Sequence, residues 1–308
     1  MQKKVKGSKQ SRRFNIPHIT KPGMVLICAV AVIAVIFAGK GLTSKKAEPD
    51  NTAASADVQQ PQKTARPAPD IPPASEQNDL VKIAENAQGG NGKICYLTFD
   101  DGPSGAVTVS ILETLKNYDA KATFFMMGKM IEANKDLAKR VYDEGHLLAN
   151  HSYSHDYKAL YATADSFSVE IDKTFDLIRE VTGEEPFKLI RFPGGSYNAG
   201  DHAAEKQQYK VLLKQKGYYY ADWNCLNGDA EGGNRTPAQL LERIKTTSGA
   251  DNIVVLMHDA AAKKSTAEAL PSVLEYLKGQ GYEFRRLDEI PYYNKEEAAK
   301  KSSDSMIL

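Results

Sequence analysis

From Lys93 onward, short apolar runs alternate with segments in which apolar side chains recur at helical spacing. Ile94–Phe99 is typical of a buried strand, and the stripe from Phe167 to Val181 before Gly183 is typical of a helix. Strands are predicted over 94–99, 122–127, 146–150, 189–192, 218–222, 252–257 and 282–285. Strict alternation of strands and helices predicts parallel strands joined by right-handed crossovers. We therefore expect an α/β fold, an irregular (β/α) barrel with about seven parallel strands; an open doubly wound sheet is the alternative.

The first 39 residues carry a different pattern, in which a basic segment precedes an apolar one. Residues 1–21 hold seven Lys and Arg side chains and no acid. Pro22–Gly39 follows with 18 uncharged residues, and a membrane-spanning helix needs about 20, with roughly 17 as the lower limit. This predicts a basic cytoplasmic tail over 1–21 and a transmembrane anchor over 22–39, with the rest of the chain outside the cell. A cleaved signal peptide is the competing interpretation.

Composition sets the remaining boundaries. Residues 40–92 are rich in Pro, Ala and Gln, so they bury too little apolar surface to fold, and proline keeps them extended. We expect a disordered linker there, although residues 80–87 are compatible with a short helix. The folded domain is expected over 93–290, followed by a charged tail over 291–308.

Net charge separates the tail from the body. Ten of the 40 Lys and Arg precede the first acid, Glu48, so the remaining chain carries 30 basic against 39 acidic side chains, a net charge of −9. Binding of nucleic acid needs a positive surface and is therefore not expected of this body. With 42% hydrophobic residues the chain is not wholly disordered, and three cysteines exclude a disulfide-built scaffold. Cys95 and Cys225 are expected to be buried free thiols, and a disulfide between them, which a location outside the cell permits, is the alternative.

Reactive side chains follow the predicted strands at the points where the strands end. They are Asp100 and Asp101 after the first, His151 and His155 after the third, Arg191 in the fourth, Asp222 ending the fifth, and His258 with Asp259 after the sixth. The carboxyl ends of parallel strands share one face, where active sites of α/β folds lie. One such residue alone is more often a cap or a loop residue, but five segments converging on one face predict an active site.

His151 and His155 lie four residues apart in the segment HSYSH. On a helical turn, two imidazoles at this spacing face the same way and bind one metal ion. Asp100 or Asp101 is placed to supply a carboxylate as the third ligand, and the other carboxylate then faces the attacking water. Two His and one carboxylate with open positions are typical of a catalytic metal site. The alternative is that Asp100–Pro103 forms only a turn.

Five short motifs stand in order along this part of the chain: TFDDGP (Thr98–Pro103), HSYSH (His151–His155), RFPGG (Arg191–Gly195), DW (Asp222–Trp223) and LMHD (Leu256–Asp259). Together they resemble the motifs of the polysaccharide deacetylases, the NodB-homology or carbohydrate esterase family 4 enzymes. The resemblance covers residues 93–290. TFDDGP combined with H-S-x-x-H is highly specific, whereas the later motifs are short and individually weak.

The resemblance implies a metal centre with a base beside it. Asp101, His151 and His155 would bind one divalent metal ion, with zinc as the first candidate and cobalt, manganese and nickel as the others. Asp100 would be the general base that takes a proton from the attacking water. Arg191 would hold Asp100 through a charge-assisted hydrogen bond.

The same resemblance implies an acid and a substrate pocket. His258 would be the general acid, oriented by Asp222. The backbone N–H of Gly194 would help to stabilise the oxyanion. Trp223 and Leu256 would line a small apolar pocket for the acetyl methyl group.

Two features depart from the family pattern. The family often has an aromatic residue where this chain has Gly194, and the nearby Tyr197 is expected to substitute for it. The fourth motif usually carries a further Asp upstream of the DW pair, where this chain has Tyr219. The glycines in residues 226–234 (LNGDAEGGN) predict a long mobile loop over the groove.

These observations predict a membrane-anchored, metal-dependent N-deacetylase outside the cell, acting on N-acetylated sugars of peptidoglycan. Its expected partners are the glycan strand and, through the N-terminal helix, the membrane. The rivals are an O-acetyl esterase on a xylan-type polysaccharide, a chitooligosaccharide deacetylase, and a catalytically inert wall-binding module. A glycosidase needs two separated carboxylates, and Asp100 and Asp101 are too close in sequence to serve.

Overall fold

The computed structural model describes residues 71–87, 92–197 and 202–291. Its sheet has eight parallel strands in the order β5-β4-β3-β2-β1-β7-β6, with β8 also paired to β1. The strands are β1 Lys93–Asp100, β2 Thr123–Met126, β3 Leu147–Asn150, β4 Leu189–Ile190, β5 Tyr219–Tyr220, β6 Cys225–Leu226, β7 Asn252–His258 and β8 Tyr282–Arg285. The expected α/β fold with parallel strands is confirmed. β6 is the additional strand, because two residues are too short to carry a periodic signal.

The described residues form nine α-helices, of which the first precedes β1 and the others connect the strands on the outside of the sheet. They are α1 Leu80–Asn86, α2 Gly105–Asn117, α3 Gly128–Ala133, α4 Lys135–Asp143, α5 Tyr157–Leu160, α6 Ala164–Thr182, α7 Ala203–Gln215, α8 Pro237–Thr247 and α9 Lys264–Gly279, with a 3₁₀ helix at Leu287–Glu289. The long stripe ends at Gly183, which is left-handed and caps α6 as predicted. Thr236 caps α8 in a capping box with Gln239.

β1 organises the sheet because it is paired along both edges. One edge pairs with β7 over Ile94–Asp100. The other edge pairs with β8 over Lys93–Tyr96 and then with β2 over Thr98–Asp100. Among the described residues β5 and β6 do not pair, so the barrel is open between them.

Alternate side chains of β1 enter two different cores. Cys95, Leu97 and Phe99 face the outer core, where the helices pack on the sheet. Ile94 and Tyr96 face the inner core, which is enclosed by the curved sheet. By the same alternation Thr98 and Asp100 point inward, so the barrel interior becomes polar where β1 ends. Cys95 and Cys225 are buried free thiols, as expected.

The folded part begins earlier than the predicted boundary at residue 92. Leu80, Ile83 and Ala84 of α1 are buried in the inner core. The backbone N–H of Tyr220 donates to the carbonyl of Asn78 at 2.8 Å, so the chain also pairs with β5 before α1. Residues 71–87 therefore belong to the domain, and the short helix over 80–87 is confirmed as α1. The Pro-rich composition did not reveal this contact, because only a few apolar side chains of the segment pack into the barrel interior.

The predicted tail, anchor and C-terminal segment, 1–21, 22–39 and 292–308, lie outside the described residues, as does the linker up to residue 70. Within the three described ranges, no helix has the length and apolar character needed to span a bilayer.

Candidate active site

The expected reactive residues meet at the carboxyl ends of the central strands. Asp100 ends β1, His151 follows β3, Arg191 follows β4 and His258 ends β7. β1 and β7 run in register, with Asp100 opposite His258. The backbone N–H of Arg191 donates to the carbonyl of Asn150 at 2.9 Å, which joins the ends of β3 and β4. Parallel strands thus bring these side chains to one rim.

Asp101, His151 and His155 form a cluster with metal-ligand chemistry. Their ligand atoms lie within 4.8 Å of one another. Oδ1 of Asp101 is 3.6 Å from Nε2 of His151 and 3.6 Å from Nε2 of His155. This Oδ1 atom is buried, and no described residue donates a hydrogen bond to it. A buried carboxylate oxygen that faces two imidazole nitrogens without a donor fits a cation between the three side chains.

The two imidazoles are prepared for that role in different ways. Nδ1 of His151 is 2.9 Å from the carbonyl oxygen of Arg191, so this nitrogen carries the proton and Nε2 keeps its lone pair toward Asp101. Burial, and then the neighbouring His151, hold the pKa of His155 below its ordinary value. Burial and the neighbouring His151 thus favour the neutral imidazole of His155, which is the form that binds metal ions.

The loop that carries these ligands is not the helical turn predicted from their spacing. α5 begins only at Tyr157, capped by the Asp156 side chain. Ser152 (φ 61°) and His155 (φ 57°) are left-handed, and so is Asp101 (φ 77°). Non-glycine residues rarely adopt this conformation, and such strain is concentrated at functional sites. The two imidazoles converge through a sharply turned loop, so the expectation of a helical turn is wrong in its local structure.

Arg191 is fully buried and holds the predicted base. Its Nη1 donates to Oδ1 of Asp100 at 2.8 Å and to Oγ1 of Thr98 at 2.6 Å. Its Nε and Nη2 donate to the carbonyls of Ala221 (2.9 Å) and Asp222 (2.8 Å). These bonds compensate the buried guanidinium, leaving Oδ2 of Asp100 free to face the metal-ligand cluster, 3.7 Å from Nε2 of His151.

His258 is paired with Asp229 and not with Asp222. Nδ1 of His258 is 2.7 Å from Oδ1 of Asp229, and the His258 backbone N–H donates to Oδ2 of Asp229 at 2.9 Å. Thr266 donates to the same Oδ2 at 2.7 Å, and Nζ of Lys263 donates to the Asp229 carbonyl at 2.6 Å. The expectation that Asp222 orients His258 is therefore wrong.

The pairing changes the acidity of His258. Burial alone would lower its pKa, but the hydrogen bond and charge of Asp229, with Asp100 and Asp101, raise it above the ordinary value. For Asp229, burial alone would raise the pKa, and the bond to His258 lowers it below the ordinary value. The raised pKa favours the protonated imidazole, which is the form that can donate a proton from Nε2.

Asp222 supports the loop that contains Gly194 and Gly195. Its Oδ1 accepts from the Ser196 N–H at 2.8 Å, and its Oδ2 accepts from the Ser196 hydroxyl. Burial raises the pKa of Asp222 above its ordinary value. With the Arg191 bond to its carbonyl, Asp222 fixes the RFPGG loop rather than the acid.

Sequence reasoning missed Asp229 because it lies in the glycine-rich segment predicted to be a mobile loop. β6 runs immediately before this segment, so Asp229 also follows a strand. Cys225 and Leu226 pair with Val255 and Leu256 of β7, which directs the segment toward His258. The signal available in the sequence was an acid, Asp229, three residues after the short apolar pair Cys225 and Leu226.

Gly194 is left-handed (φ 74°) and exposed, and no described residue accepts its N–H. A Cβ at this position would lie 2.8 Å from Oη of Tyr157 and 3.6 Å from Nζ of Lys206. The Tyr157 ring also packs against His155, with centroids 5.4 Å apart. Tyr157, and not Tyr197 as expected, therefore takes the space beside Gly194.

Tyr197, Trp223 and Leu256 lie at other parts of the rim. Tyr197 donates its hydroxyl to the Trp223 carbonyl at 2.8 Å, and the rings meet edge to face with centroids 5.5 Å apart. Leu256 is buried in β7 two residues before His258, on the same face of the strand. Whether they contact an acetyl group stays a prediction.

A cavity of about 380 Å³ opens beside the cluster. Asp101 and His155 lie on its wall together with Met127, Lys129 and Met130. A small polar centre at the edge of a partly apolar cavity is the arrangement typical of a ligand-binding site.

The chain is similar to known proteins along most of its length. A family model described as polysaccharide deacetylase matches residues 87–212. A putative polysaccharide deacetylase of Bacillus subtilis, YheN, is 32% identical over 270 residues, which cover 86% of this chain and 90% of that protein. A peptidoglycan-N-acetylglucosamine deacetylase of Bacillus cereus is 35% identical over 228 residues, which cover 71% of this chain and 80% of that protein.

A solved structure shares the architecture. The crystal structure of the catalytic domain of a peptidoglycan N-acetylglucosamine deacetylase from Eubacterium rectale matches with a TM-score of 0.60 and 28% identity. The match covers 68% of this chain and 96% of the other.

Proposed function

This chain belongs to the polysaccharide deacetylase family, and we propose that it hydrolyses N-acetyl groups of peptidoglycan amino sugars, releasing acetate and leaving a free amine. The observation that carries the proposal is that the Asp101, His151 and His155 cluster shares one rim with two proton-transfer groups. Asp100, held by Arg191, lies on one side, and His258 ends the neighbouring strand. Relatives named as peptidoglycan deacetylases support the choice of substrate.

Asp101, His151 and His155 would hold a divalent cation, for which zinc is the first candidate. The fit rests on the orphaned Oδ1 of Asp101 and on the proton position at His151. A cation held there would acidify a water molecule and polarise the acetyl oxygen. Two imidazoles and a carboxylate also accept cobalt, manganese or nickel, so availability selects among these metals.

The side chains of this protein move the protons. Asp100 accepts a proton from the water that attacks the acetyl carbon, and its bond to Arg191 orients it. The Gly194 N–H, which has no acceptor among the described residues, is free to bind the developing oxyanion. His258 then donates its proton to the amide nitrogen as the C–N bond breaks. Asp229 stabilises the imidazolium before transfer and orients the ring.

Acetate release from purified cell wall tests the proposal. We expect the full-length protein to release acetate, a chelator to abolish release, and added zinc to restore it. Asp101→Asn should lose both activity and bound metal, whereas Asp222→Asn should keep its metal. Release from acetylated xylan alone would support the O-acetyl esterase, and release from chitin oligomers alone the chitooligosaccharide deacetylase. No release from any acetylated glycan by metal-loaded protein would overturn the proposal and favour an inert wall-binding module.

We also propose that residues 22–39 anchor the protein in the cell membrane, with the N-terminus inside and the domain outside. Support comes from the sequence alone, namely seven basic side chains before 18 uncharged residues. Cell fractionation tests this. The full chain should sediment with membranes and be accessible to external protease, and a chain lacking residues 1–39 should not sediment. A full chain recovered without membranes would contradict the anchor.

A further inference from the structure

Lys206 is a buried cation without a hydrogen-bonding partner. It lies in the first turn of α7 and is only 5% exposed. Among the described residues its ammonium group has no hydrogen-bond acceptor and no ion-pair partner. The ammonium group lies over the Tyr161 ring, whose centroid is 5.1 Å from Nζ. A cation over a ring gains some attraction, and the three N–H donors of the ammonium group are left for water or a ligand.

This placement is unfavourable in the free protein. A positive charge in the first turn of a helix is opposed by the helix dipole, and desolvation lowers the pKa of Lys206. Asp222 attracts the ammonium through space, but both its oxygens already accept from Ser196. Lys210 repels it. A largely buried lysine whose ammonium group reaches the surface without an acidic partner is a place where an anionic group of a ligand gains an ion pair.

The ammonium group points to the exposed surface at Gly194. Nζ of Lys206 lies 3.6 Å, and Oη of Tyr157 2.8 Å, from the position that a Gly194 Cβ would occupy. Tyr157 is 42% exposed, and its ring contacts the metal-ligand residue His155. One ammonium and one hydroxyl therefore face the place where the acetyl oxygen is held in the proposed reaction.

We propose that Lys206 and Tyr157 form a subsite for a carboxylate on the substrate sugar, beside the acetamido group that is hydrolysed. This inference rests on the proposed function. In peptidoglycan, that carboxylate is the lactyl group of N-acetylmuramic acid, which is attached to the carbon next to the acetamido carbon. An acetyl oxygen at Gly194 would place it within reach of Lys206. N-acetylglucosamine carries a neutral hydroxyl at the same carbon, so the subsite selects peptide-free muramic acid.

A matched pair of substrates tests the charge directly. Peptide-free glycan strands carry the lactyl carboxylate, and the same strands with that carboxylate reduced to an alcohol do not. We expect the metal-loaded wild type to prefer the acidic strands by about 10- to 100-fold in kcat/KM, as a hydrogen bond to a charged group contributes roughly 1.5–3 kcal/mol. Mass spectrometry identifies which sugar loses its acetyl group, and it should be the muramic acid.

Lys206→Met should reduce that preference to within about threefold while leaving kcat/KM on the reduced strands nearly unchanged. Lys210→Met is the matched control. Lys210 lies one turn along α7, and its Nζ is likewise over a ring, 5.2 Å from the Tyr220 centroid. This variant should keep the full preference. Circular dichroism melting of both variants verifies that they are folded, and Lys206→Gln provides a second variant if the methionine protein is unstable.

Four results would overturn the subsite. The wild type could treat both strands equally, or Lys206→Met could slow both equally, which indicates a general structural or electrostatic role. If free acetate inhibits Lys206→Met more weakly, and kcat/KM falls equally on the acidic and the reduced strands, the ammonium group binds the acetate product and not the substrate carboxylate. Activity restricted to N-acetylglucosamine would reject the subsite while leaving the deacetylase function intact. No activity on any strand would reject the proposed function itself.

Discussion

Two loops at the rim, after β5 and after β6, each present one buried aspartate, and the two aspartates have opposite electrostatics. Asp222 accepts from the N–H and the hydroxyl of Ser196, neutral donors that leave burial as the dominant effect, so its pKa is raised. Asp229 faces His258, whose charge and hydrogen bond overcome burial, so its pKa is lowered. Burial alone therefore does not determine the role of a carboxylate. That role depends on whether the group that it contacts is titratable.

The two aspartates also serve different tasks, since Asp222 positions a loop and Asp229 supports the group that transfers a proton. Asp222 is connected to Arg191 only through its backbone carbonyl, and its side chain holds the RFPGG loop. Asp229 contacts the predicted acid with both carboxylate oxygens. Four predictions follow the comparison from its largest expected effect to its smallest.

His258→Ala should produce the largest loss, roughly 10²–10⁴-fold in kcat, because one general acid contributes about that much. The measurement is acetate release under saturating substrate, with bound metal determined in the same sample. Since His258 is not among the proposed metal ligands, the metal content should stay unchanged. Loss of the metal together with activity would show that the histidine acts in the cation site.

Asp229→Asn should lower kcat less, by roughly 10- to 10³-fold, because the imidazole stays but loses its anionic partner. Asp229 raises the pKa of His258, so removing the charge lowers that pKa. The basic limb of the kcat/KM profile, where the acid loses its proton, should then move to lower pH. Asp222→Asn is the control and should leave the basic limb in place. A shift in that control instead would reverse the assignment of the two aspartates.

Asp222→Ala should act mainly on stability. It leaves the buried Ser196 N–H and hydroxyl without their acceptor, a loss of about 1–3 kcal/mol in the free energy of unfolding. Urea unfolding of metal-free protein measures this, with Tyr197→Phe as a surface control on the same loop. Stability equal to wild type would contradict a role in fixing the loop.

The smallest effect is in the pH dependence of stability. The raised pKa of Asp222 means that its contribution is fully present below its unfolded pKa, about 4, and is lost as pH rises through the folded pKa. The lowered pKa of Asp229 gives the opposite sign, with stability lost as pH falls through its folded value. Relative to wild type, Asp222→Asn should thus gain as pH rises and Asp229→Asn should gain as pH falls. Urea unfolding of metal-free protein at pH values on either side of about 4 measures how the free energy of unfolding of each variant, relative to wild type, changes with pH. The same pH dependence in both variants would contradict the comparison.

Long periodic segments made most of the architecture predictable. The stripe of α6, its cap at Gly183, and the apolar runs of β1 and β7 are local signals, and the structure has them where expected. Adjacent positions after strands also placed Asp100, Asp101 and His258 at one rim. These inferences succeeded because burial of an apolar face and the parallel direction of strands follow from nearby residues.

Short or distant contacts were not predictable in the same way. β6 has two residues, and its pairing with β7 turns a glycine-rich segment toward His258. α1 lies in a Pro-rich segment and is stabilised by side chains of the barrel interior. A local pattern does not show where either element packs, because the stabilising free energy comes from partners far along the chain.

The sequence by itself determined the parallel α/β class, the residues at the strand ends and the chemistry of the Asp101, His151 and His155 cluster. Only the tertiary structure decided that Asp229 pairs with His258, that Asp222 supports a loop, and that Tyr157 and Lys206 flank Gly194. The physical reason is that the amino acid type sets which bonds a side chain is able to make. The packing of remote segments sets the distance and burial that select one partner among several.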